Sequence, residues 1–208
     1  HSGVQMGGWF NREINSVNDL KGLKMRIPGL GGEVLRRAGG TPVNLPGSEL
    51  FTALQTGTID ATEWVGPYND LAFGLYQAAK YYYYPGWHEP NAVLECLINK
   101  KAFESLPEDL QAIVTNACRA TSNNMLSEFA ARNSDALVEL VNTYGVELRR
   151  FPDAVLDRLR ALTDEVLGET AARDPLFAKV YASYSAYQQR SAAWQDVSIL
   201  PYLQSRGD

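Results

Sequence analysis

The sequence predicts an α/β fold on three observations. Short apolar runs alternate with short helical segments across the first 100 residues, which is typical of a sheet covered by helices. Apolar residues then recur at a spacing near 3.6 from Leu110 to Val141, which indicates one long helix. Hydrophobic residues make up 45% and charged residues 21% of the 208 residues, as in an ordinary globular protein.

The first part of the chain supplies most of the predicted sheet. Short helices are predicted at residues 33–38 and 48–55, where Gly39 and Gly57 provide stop signals. Strands are predicted wherever a short apolar run is bounded by turn residues. These runs are residues 3–10, 23–27, 41–45, 58–65, 81–84 and 91–98.

From residue 105 onward the pattern changes to long helices. Ser105 and Glu108 are spaced as a capping box, with Pro107 in the first turn. The helix that follows is expected to run for about 35 residues, or about 50 Å at ~1.5 Å per residue. A helix of that length bridges two lobes or packs on a partner. A strand at 146–151, a helix to residue 167 and a further helix from Asp174 complete the chain.

Composition and charge argue against several classes of protein. The 19 Lys+Arg against 24 Asp+Glu give a net charge of −5, which weakens any case for a nucleic-acid-binding surface. No run of 18 apolar residues predicts a membrane span. Cys96 and Cys118 have no CxxC neighbour, which disfavours zinc, and whether they form a single disulfide stays open. The chain starts at His1 with no signal peptide, so either a leader was removed or the sequence is a fragment.

Two familiar catalytic or phosphate-binding patterns fail in detail. The glycine-rich stretch 29–32 precedes a helix, but Val34 stands where a dinucleotide fingerprint needs glycine, and the P-loop Gly-Lys-Ser/Thr is absent. A flexible strand-to-helix turn is the better interpretation. Cysteine–histidine catalysis would need Cys96 or Cys118 beside His88, and the apolar runs around both cysteines disfavour it.

Polar residues at predicted strand ends are the candidates for a binding site. Arg26 ends a strand just before a Pro-Gly turn, where side chains of an α/β sheet face a ligand crevice, and its fork suits a carboxylate. The alternative is a solvent-facing strand arginine. Glu63 and Trp64 end another strand and form either a metal or ligand group or a solvent-facing pair. With Glu89 and Gln5, Glu63 offers hard oxygen ligands that suit Na⁺ or Ca²⁺.

Four sequence stretches together resemble the second lobe of a TRAP-transporter solute-binding protein, in the DctP family. They are GVQMGGWF at residues 3–10, DLKGLKMRI at 19–27, GTIDATEWVGPY at 57–68 and KYYYYPGWHEP at 80–90. The last two are similar to the branch that binds 2-oxo and 2-hydroxy monocarboxylates together with a metal ion. The resemblance implies the second lobe of a type II periplasmic binding protein with long C-terminal helices.

The resemblance also implies roles for individual residues. Arg26 would pair with the substrate carboxylate, and Gln5, Trp64 and Trp87 would also contact the substrate. The metal, Na⁺ or Ca²⁺, would bridge substrate and protein through the Gln5 amide, the Glu63 carboxylate and the Trp64 carbonyl, with Glu89 as a further acidic ligand. The alternative is that Glu63 pairs only with Arg26 or a lysine and that no metal binds.

The domains follow from these assignments. Residues 1–87 are expected to form ligand-binding lobe two, residues 88–145 the crossover strand and lobe-bridging helix, and residues 146–208 the return strand and C-terminal helices. Members of the family begin with a first lobe that has no counterpart here, so a fragment is expected.

The resemblance implies a periplasmic binding subunit and not an enzyme. It would deliver a small carboxylate, such as pyruvate or lactate, to TRAP membrane permease subunits, and it would form a homodimer through its long helices. Two alternatives from other classes remain open at this point. One is a hydrolase or lyase that uses Glu63 or Glu89, and the other is a purely structural oligomerisation module.

Overall fold

A computed structural model describes residues 1–207, which divide into two compact units, His1–Leu162 and Thr163 onward. The first unit is built on a six-stranded mixed sheet with the order β3-β2-β4-β1-β5-β6. Its strands are short, with two to four residues each. They are β1 (Gly8–Phe10), β2 (Lys24–Arg26), β3 (Thr41–Val43), β4 (Ala61–Thr62), β5 (Tyr81–Tyr84) and β6 (Glu147–Arg150).

Parallel and antiparallel pairs are combined in this sheet. β2 runs parallel to both β3 and β4, and β5 runs parallel to β6. β1 lies between β4 and β5 and is antiparallel to both. The α/β prediction is therefore confirmed, and the carboxyl ends of β2, β3 and β4 share one edge of the sheet.

Helices cover the sheet and account for most of the remaining chain. In the first unit they are α1 (Gly29–Arg37), α2 (Leu50–Gln55), α3 (Pro67–Ala72), α4 (Lys100–Glu104) and α5 (Glu108–Asn142), and α6 (Asp153–Arg173) begins there. α7 (Pro175–Val197) and α8 (Ile199–Ser205) belong to the second unit. The core cluster of the first unit holds residues from the sheet and from α2 and α5: Trp9, Leu50, Ala53, Leu54, Ile59, Leu75, Ala79, Tyr82, Leu140 and Val146.

The long helix is present as predicted, with 35 residues, but its start differs. Pro107 precedes α5 without a side-chain cap, and Ser105 instead ends α4, where its Oγ donates to the Ala102 carbonyl at 2.8 Å. The capping-box prediction was wrong because a separate short helix occupies Ser105. Similarly, α1 begins at Gly29, so the glycine-rich stretch lies inside the helix and not before it.

The predicted strand at residues 91–98 was also wrong. No strand is assigned there, and Val93, Leu94 and Leu97 are 72%, 65% and 88% exposed. A strand needs a ladder of bonds to its N–H and C=O groups, and within residues 1–207 this segment forms no ladder, although Ser2 bonds to Ala92. Both cysteines are free thiols, and a hydrogen bond with the Cys96 thiol raises the pKa of Cys118.

Candidate functional site

Arg26 and Glu63 meet at the edge of the sheet where two parallel strands end. Arg26 is the last residue of β2, and Glu63 directly follows β4, its parallel neighbour. The Glu63 backbone N–H donates to the Arg26 carbonyl at 3.3 Å, which continues the ladder by one step. Carboxyl ends of adjacent parallel strands place their side chains in one crevice, so this juxtaposition follows from the topology.

The Glu63 carboxylate lies between the side chains of Arg26 and His88. Its Oε1 accepts from Nη1 of Arg26, and its Oε2 lies 3.2 Å from Nε2 of His88. The three side chains are almost fully buried, with exposures of 12% for Arg26, 4% for Glu63 and 1% for His88. Burial in low dielectric strengthens the attraction between the charged groups and makes an unpaired carboxylate costly there.

His88 is a site residue that the sequence analysis considered only as a partner for a catalytic cysteine and did not predict at the binding site. Its place between Trp87 and Glu89, in one of the stretches that carry the family resemblance, was the available signal. The Nδ1 atom of its ring is buried without a hydrogen-bond partner, so one polar atom at this site remains to be satisfied.

The guanidinium of Arg26 is fixed on one side and open on the other. Its Nε donates to the Leu45 carbonyl at 3.2 Å, and its Cζ atom lies 5.6 Å from the centre of the Trp64 ring. Nη2 has no hydrogen-bond partner within residues 1–207. An arginine fork held in this way can present its remaining N–H groups to a carboxylate.

Gln5 is attached to the same region through its backbone. Its carbonyl accepts from Gly86 at 3.3 Å, and the next residue, Met6, donates to the Val65 carbonyl at 3.2 Å. A Cβ on Gly86 would lie 2.6 Å from the Gln5 carbonyl oxygen, so the approach requires glycine. The Gln5 side chain is 3% exposed, and its Oε1 is buried with no partner. An orphaned buried amide oxygen is a suitable donor for a cation.

The remaining predicted residues lie in different environments. Trp64 is half-buried, with its ring 4.9 Å from the Phe73 ring, and its Nε1 is buried without a partner. Trp87 is half-buried, and its ring lies 5.5 Å from the His88 ring. Glu89 is exposed and has no hydrogen bond or ion pair in the described part of the chain.

Residues 1–207 contain no group of three or more His, Cys, Asp or Glu side chains that is arranged to hold a metal ion. A metal at this site would therefore draw on amide and main-chain oxygens as well as on the Glu63 carboxylate. Such hard oxygen donors fit Na⁺ or Ca²⁺ and not zinc. The buried, unpartnered Gln5 oxygen is the feature of the structure that fits such an ion.

Behind the loop that carries Glu63 and Trp64 lies a second buried carboxylate, Asp70. This side chain on α3 is 1% exposed and accepts four hydrogen bonds. Oδ1 accepts from the backbone N–H groups of Val65 (3.2 Å) and Gly66 (3.1 Å), and Oδ2 accepts from Trp9 Nε1 (2.9 Å) and the Tyr82 hydroxyl (2.8 Å). Desolvation by burial is the main cause that raises the pKa of Asp70 to about 6.

The helix α3 is itself fixed by α5. The Tyr68 N–H donates to Asn133 Oδ1 at 2.9 Å, and the Tyr68 ring lies 5.6 Å from Phe129, edge to face. The long helix thus holds the short helix on which Asp70 lies.

Comparison with known protein families identifies the family of this chain. Residues 1–174 match the family described as DctP, bacterial extracellular solute-binding protein, family 7. The chain belongs to the DctP family. This DctP protein is therefore a member of a transport family and not of an enzyme family, and the hydrolase or lyase alternative is not supported.

Three similar proteins are described by the small carboxylates that they bind. A monocarboxylate 2-oxoacid-binding periplasmic protein of Nostoc sp. is 43% identical over 201 residues, covering 97% of this chain and 55% of the relative. Two solved TRAP periplasmic solute-binding proteins are each 48% identical with a TM-score of 0.93, covering 98% of this chain and 62% of theirs. The one from Colwellia psychrerythraea holds calcium and pyruvate, and the one from Pseudoalteromonas atlantica holds sodium and pyruvate.

A third solved structure is a TRAP transporter solute-binding protein from Bordetella bronchiseptica, 39% identical with a TM-score of 0.90. It is described as a mixed-occupancy dimer with copurified calcium and picolinate, and the match covers 98% of this chain and 60% of that one. The present DctP chain thus spans between about half and two thirds of the length of these relatives. None of its described helices is both long and apolar enough to cross a membrane.

Proposed function

We propose that this DctP protein is the periplasmic solute-binding subunit of a TRAP transporter and that it binds a small 2-oxo or 2-hydroxy monocarboxylate, such as pyruvate or lactate, together with Na⁺ or Ca²⁺. The observation that carries the proposal is the buried contact between Arg26 and Glu63, together with a buried Gln5 oxygen that has no partner, on a segment whose next residue, Met6, bonds to the Val65 carbonyl. The ligands named for the similar structures agree in chemical class.

Arg26 is the group that would bind the substrate carboxylate. The Leu45 carbonyl orients its guanidinium, and Nη2 is open for a second charge-assisted hydrogen bond. Trp64 lies under the guanidinium and, with Gln5 and Trp87, would form the surroundings of the substrate. Each charge-assisted bond contributes about 1.5–3 kcal/mol, so a bidentate pair accounts for much of the affinity of a small ligand.

Gln5, Glu63 and the Trp64 carbonyl are the groups that would hold the metal. A bound hard cation would supply positive charge to a chelating pair formed by the carboxylate and the 2-oxo or 2-hydroxy oxygen of the substrate. Without that charge, Glu63 would repel an anion at ~4 Å by about 4 kcal/mol at an effective dielectric constant near 20. Glu89 would complete the set only by turning inward from its exposed position.

The partners of the protein follow from the same assignment. A TRAP solute-binding subunit delivers its ligand to membrane permease subunits, which we propose as the physiological partners. We also propose a homodimer, because α7 exposes Leu176, Val180, Tyr184, Tyr187 and Trp194 at 70%, 61%, 56%, 65% and 66%. These residues recur at intervals of three, four or seven and therefore share one helix face.

The test is a calorimetric titration of the full-length protein with pyruvate, in calcium and again in chelator. We expect the chelator to weaken binding at least about tenfold, and Glu63→Gln to weaken binding in calcium and to remove the effect of the chelator. Glu33→Gln is the matched control, because Glu33 pairs with Arg36 and Arg37 on α1 and lies outside the site.

Two outcomes would contradict the proposal. Equal pyruvate affinity with metal, with chelator and with Glu63→Gln would mean that Glu63 serves only its ion pair with Arg26. Conversion of pyruvate or lactate to another compound during incubation, measured by NMR, would argue for an enzyme.

A further inference from the structure

The loop between β4 and α3 is fixed from behind by one carboxylate. Asp70 accepts hydrogen bonds from two consecutive backbone N–H groups, those of Val65 and Gly66, through the same oxygen. Its other oxygen is held by Trp9 and Tyr82, so the carboxylate cannot rotate without breaking two further bonds. No cation is among its hydrogen-bond partners, and without this carboxylate all four donors would lack their acceptor in a buried site.

The bond to Val65 also fixes the residue before it. The Val65 N–H and the Trp64 carbonyl belong to one peptide group, and this peptide is trans, because the only cis bond within residues 1–207 is Tyr84–Pro85. In a trans peptide the N–H and C=O point in opposite directions within one plane. When the N–H points at Asp70, the Trp64 carbonyl oxygen must point away from Asp70.

The next peptide group of the loop is hydrogen-bonded to the neighbour of Gln5, another candidate metal ligand. The Val65 carbonyl accepts from Met6, the neighbour of Gln5, at 3.2 Å. Trp9 lies on β1, which follows Gln5, and Tyr82 lies on β5, which leads to His88. The hydrogen bonds of Asp70 therefore join the three chain segments from which Gln5, Glu63 with Trp64, and His88 arise.

We propose that Asp70 is a positioning residue that sets the direction of the Trp64 carbonyl oxygen and so prepares the metal site before any ion binds. The inference rests on the proposed function, in which that oxygen is a metal ligand. Asparagine at this position cannot replace the carboxylate, because its NH₂ group would face either the Trp9 N–H or the two backbone N–H groups.

The test compares full-length wild type with Asp70→Asn in two measurements. In metal-free protein, hydrogen exchange at the Val65 and Gly66 amides should be faster in the variant. In pyruvate, calcium affinity should fall about 10- to 100-fold, as is usual when a group that orients a metal ligand is lost. Val155→Ala is the matched control, because it removes buried volume on α6 and should lower the melting temperature without changing calcium affinity.

Tyr82→Phe provides a graded second variant. It removes one bond to Oδ2 and keeps both bonds to Oδ1, so its effects should be in the same direction and smaller. If Asp70→Asn does not fold, exchange at Val65 and Gly66 in Tyr82→Phe decides the question. Unchanged exchange at these amides, or calcium affinity that falls no more than in Val155→Ala, would overturn the positioning role. Wild-type protein that binds neither calcium nor sodium in the presence of pyruvate would instead overturn the proposed function.

Discussion

Arg26 and Glu63 form a buried ion pair across the ends of two parallel strands, with side chains 12% and 4% exposed. The pair joins the residue proposed to bind the substrate anion to the residue proposed to bind the cation. A metal alone would compete with Arg26 for Glu63, and an anion alone would compete with Glu63 for Arg26. When both arrive together, each residue exchanges one opposite charge for another, which is the physical reason to expect coupled binding.

Replacing Arg26 with lysine tests whether the planar guanidinium group is needed to bind the substrate carboxylate. Lysine keeps the charge but cannot donate to the Leu45 carbonyl and a carboxylate in one plane, so we expect pyruvate affinity to fall at least about tenfold. Calorimetry on the full-length protein measures this. Arg36→Lys is the matched control, since Arg36 pairs with Glu33 on the exposed side of α1. Unchanged pyruvate affinity in Arg26→Lys would remove Arg26 from the site.

Substitution of Gly86 tests the placement of Gln5. A Cβ on Gly86 would lie 2.6 Å from the Gln5 carbonyl oxygen, so Gly86→Ala must displace the Gln5 backbone and should weaken calcium and pyruvate binding. Gly168→Ala is the control, because a Cβ there meets nothing within 4 Å and its position in α6 favours alanine by about 0.5–1 kcal/mol. Calcium titration with normal affinity in Gly86→Ala would show that Gln5 is not a ligand.

The pH dependence of stability should carry a contribution from Asp70. Its pKa in the folded protein is raised from 3.8 to about 6, so between these values the native state binds a proton that the unfolded state has released. Stability from this group is therefore full below about pH 4 and declines as the pH rises to about 6. The shift corresponds to about 3 kcal/mol. Tyr82, the titratable group that faces Asp70, stays neutral in this range because burial raises its pKa.

Denaturant unfolding from pH 4 to 7 measures this contribution. As the pH rises, the free energy of unfolding of wild type should fall relative to that of Asp70→Asn, because asparagine does not titrate. A constant difference across that range would show that Asp70 keeps an ordinary pKa.

The apolar face of α7 predicts that the protein associates. We expect a dimer by light scattering at micromolar concentration, and Tyr187→Asp to shift it to monomer, because a carboxylate cannot be buried there without a partner. Gln188→Asp is the control, since residue 188 lies outside the apolar stripe that contains Tyr187. A stable wild-type monomer at that concentration would contradict the homodimer.

Local patterns in the sequence determined the elements whose bonds are local. The 35-residue length of α5 was readable from the apolar spacing, because helical hydrogen bonds join residues four apart. The chemistry of Arg26 and Glu63 was readable too, since each stands where an apolar run ends and parallel strands bring such ends together.

The tertiary structure decided what depends on distant partners. The apolar run at 91–98 reads as a strand, but a strand exists only if another chain segment satisfies its backbone, and nothing in the run specifies that segment. Likewise, His88 reaches Glu63 across 25 positions, and Asp70 reaches Trp9 across 61. Spacing along the chain fixes neither distance, because the packing of the sheet and of α3 brings these residues together.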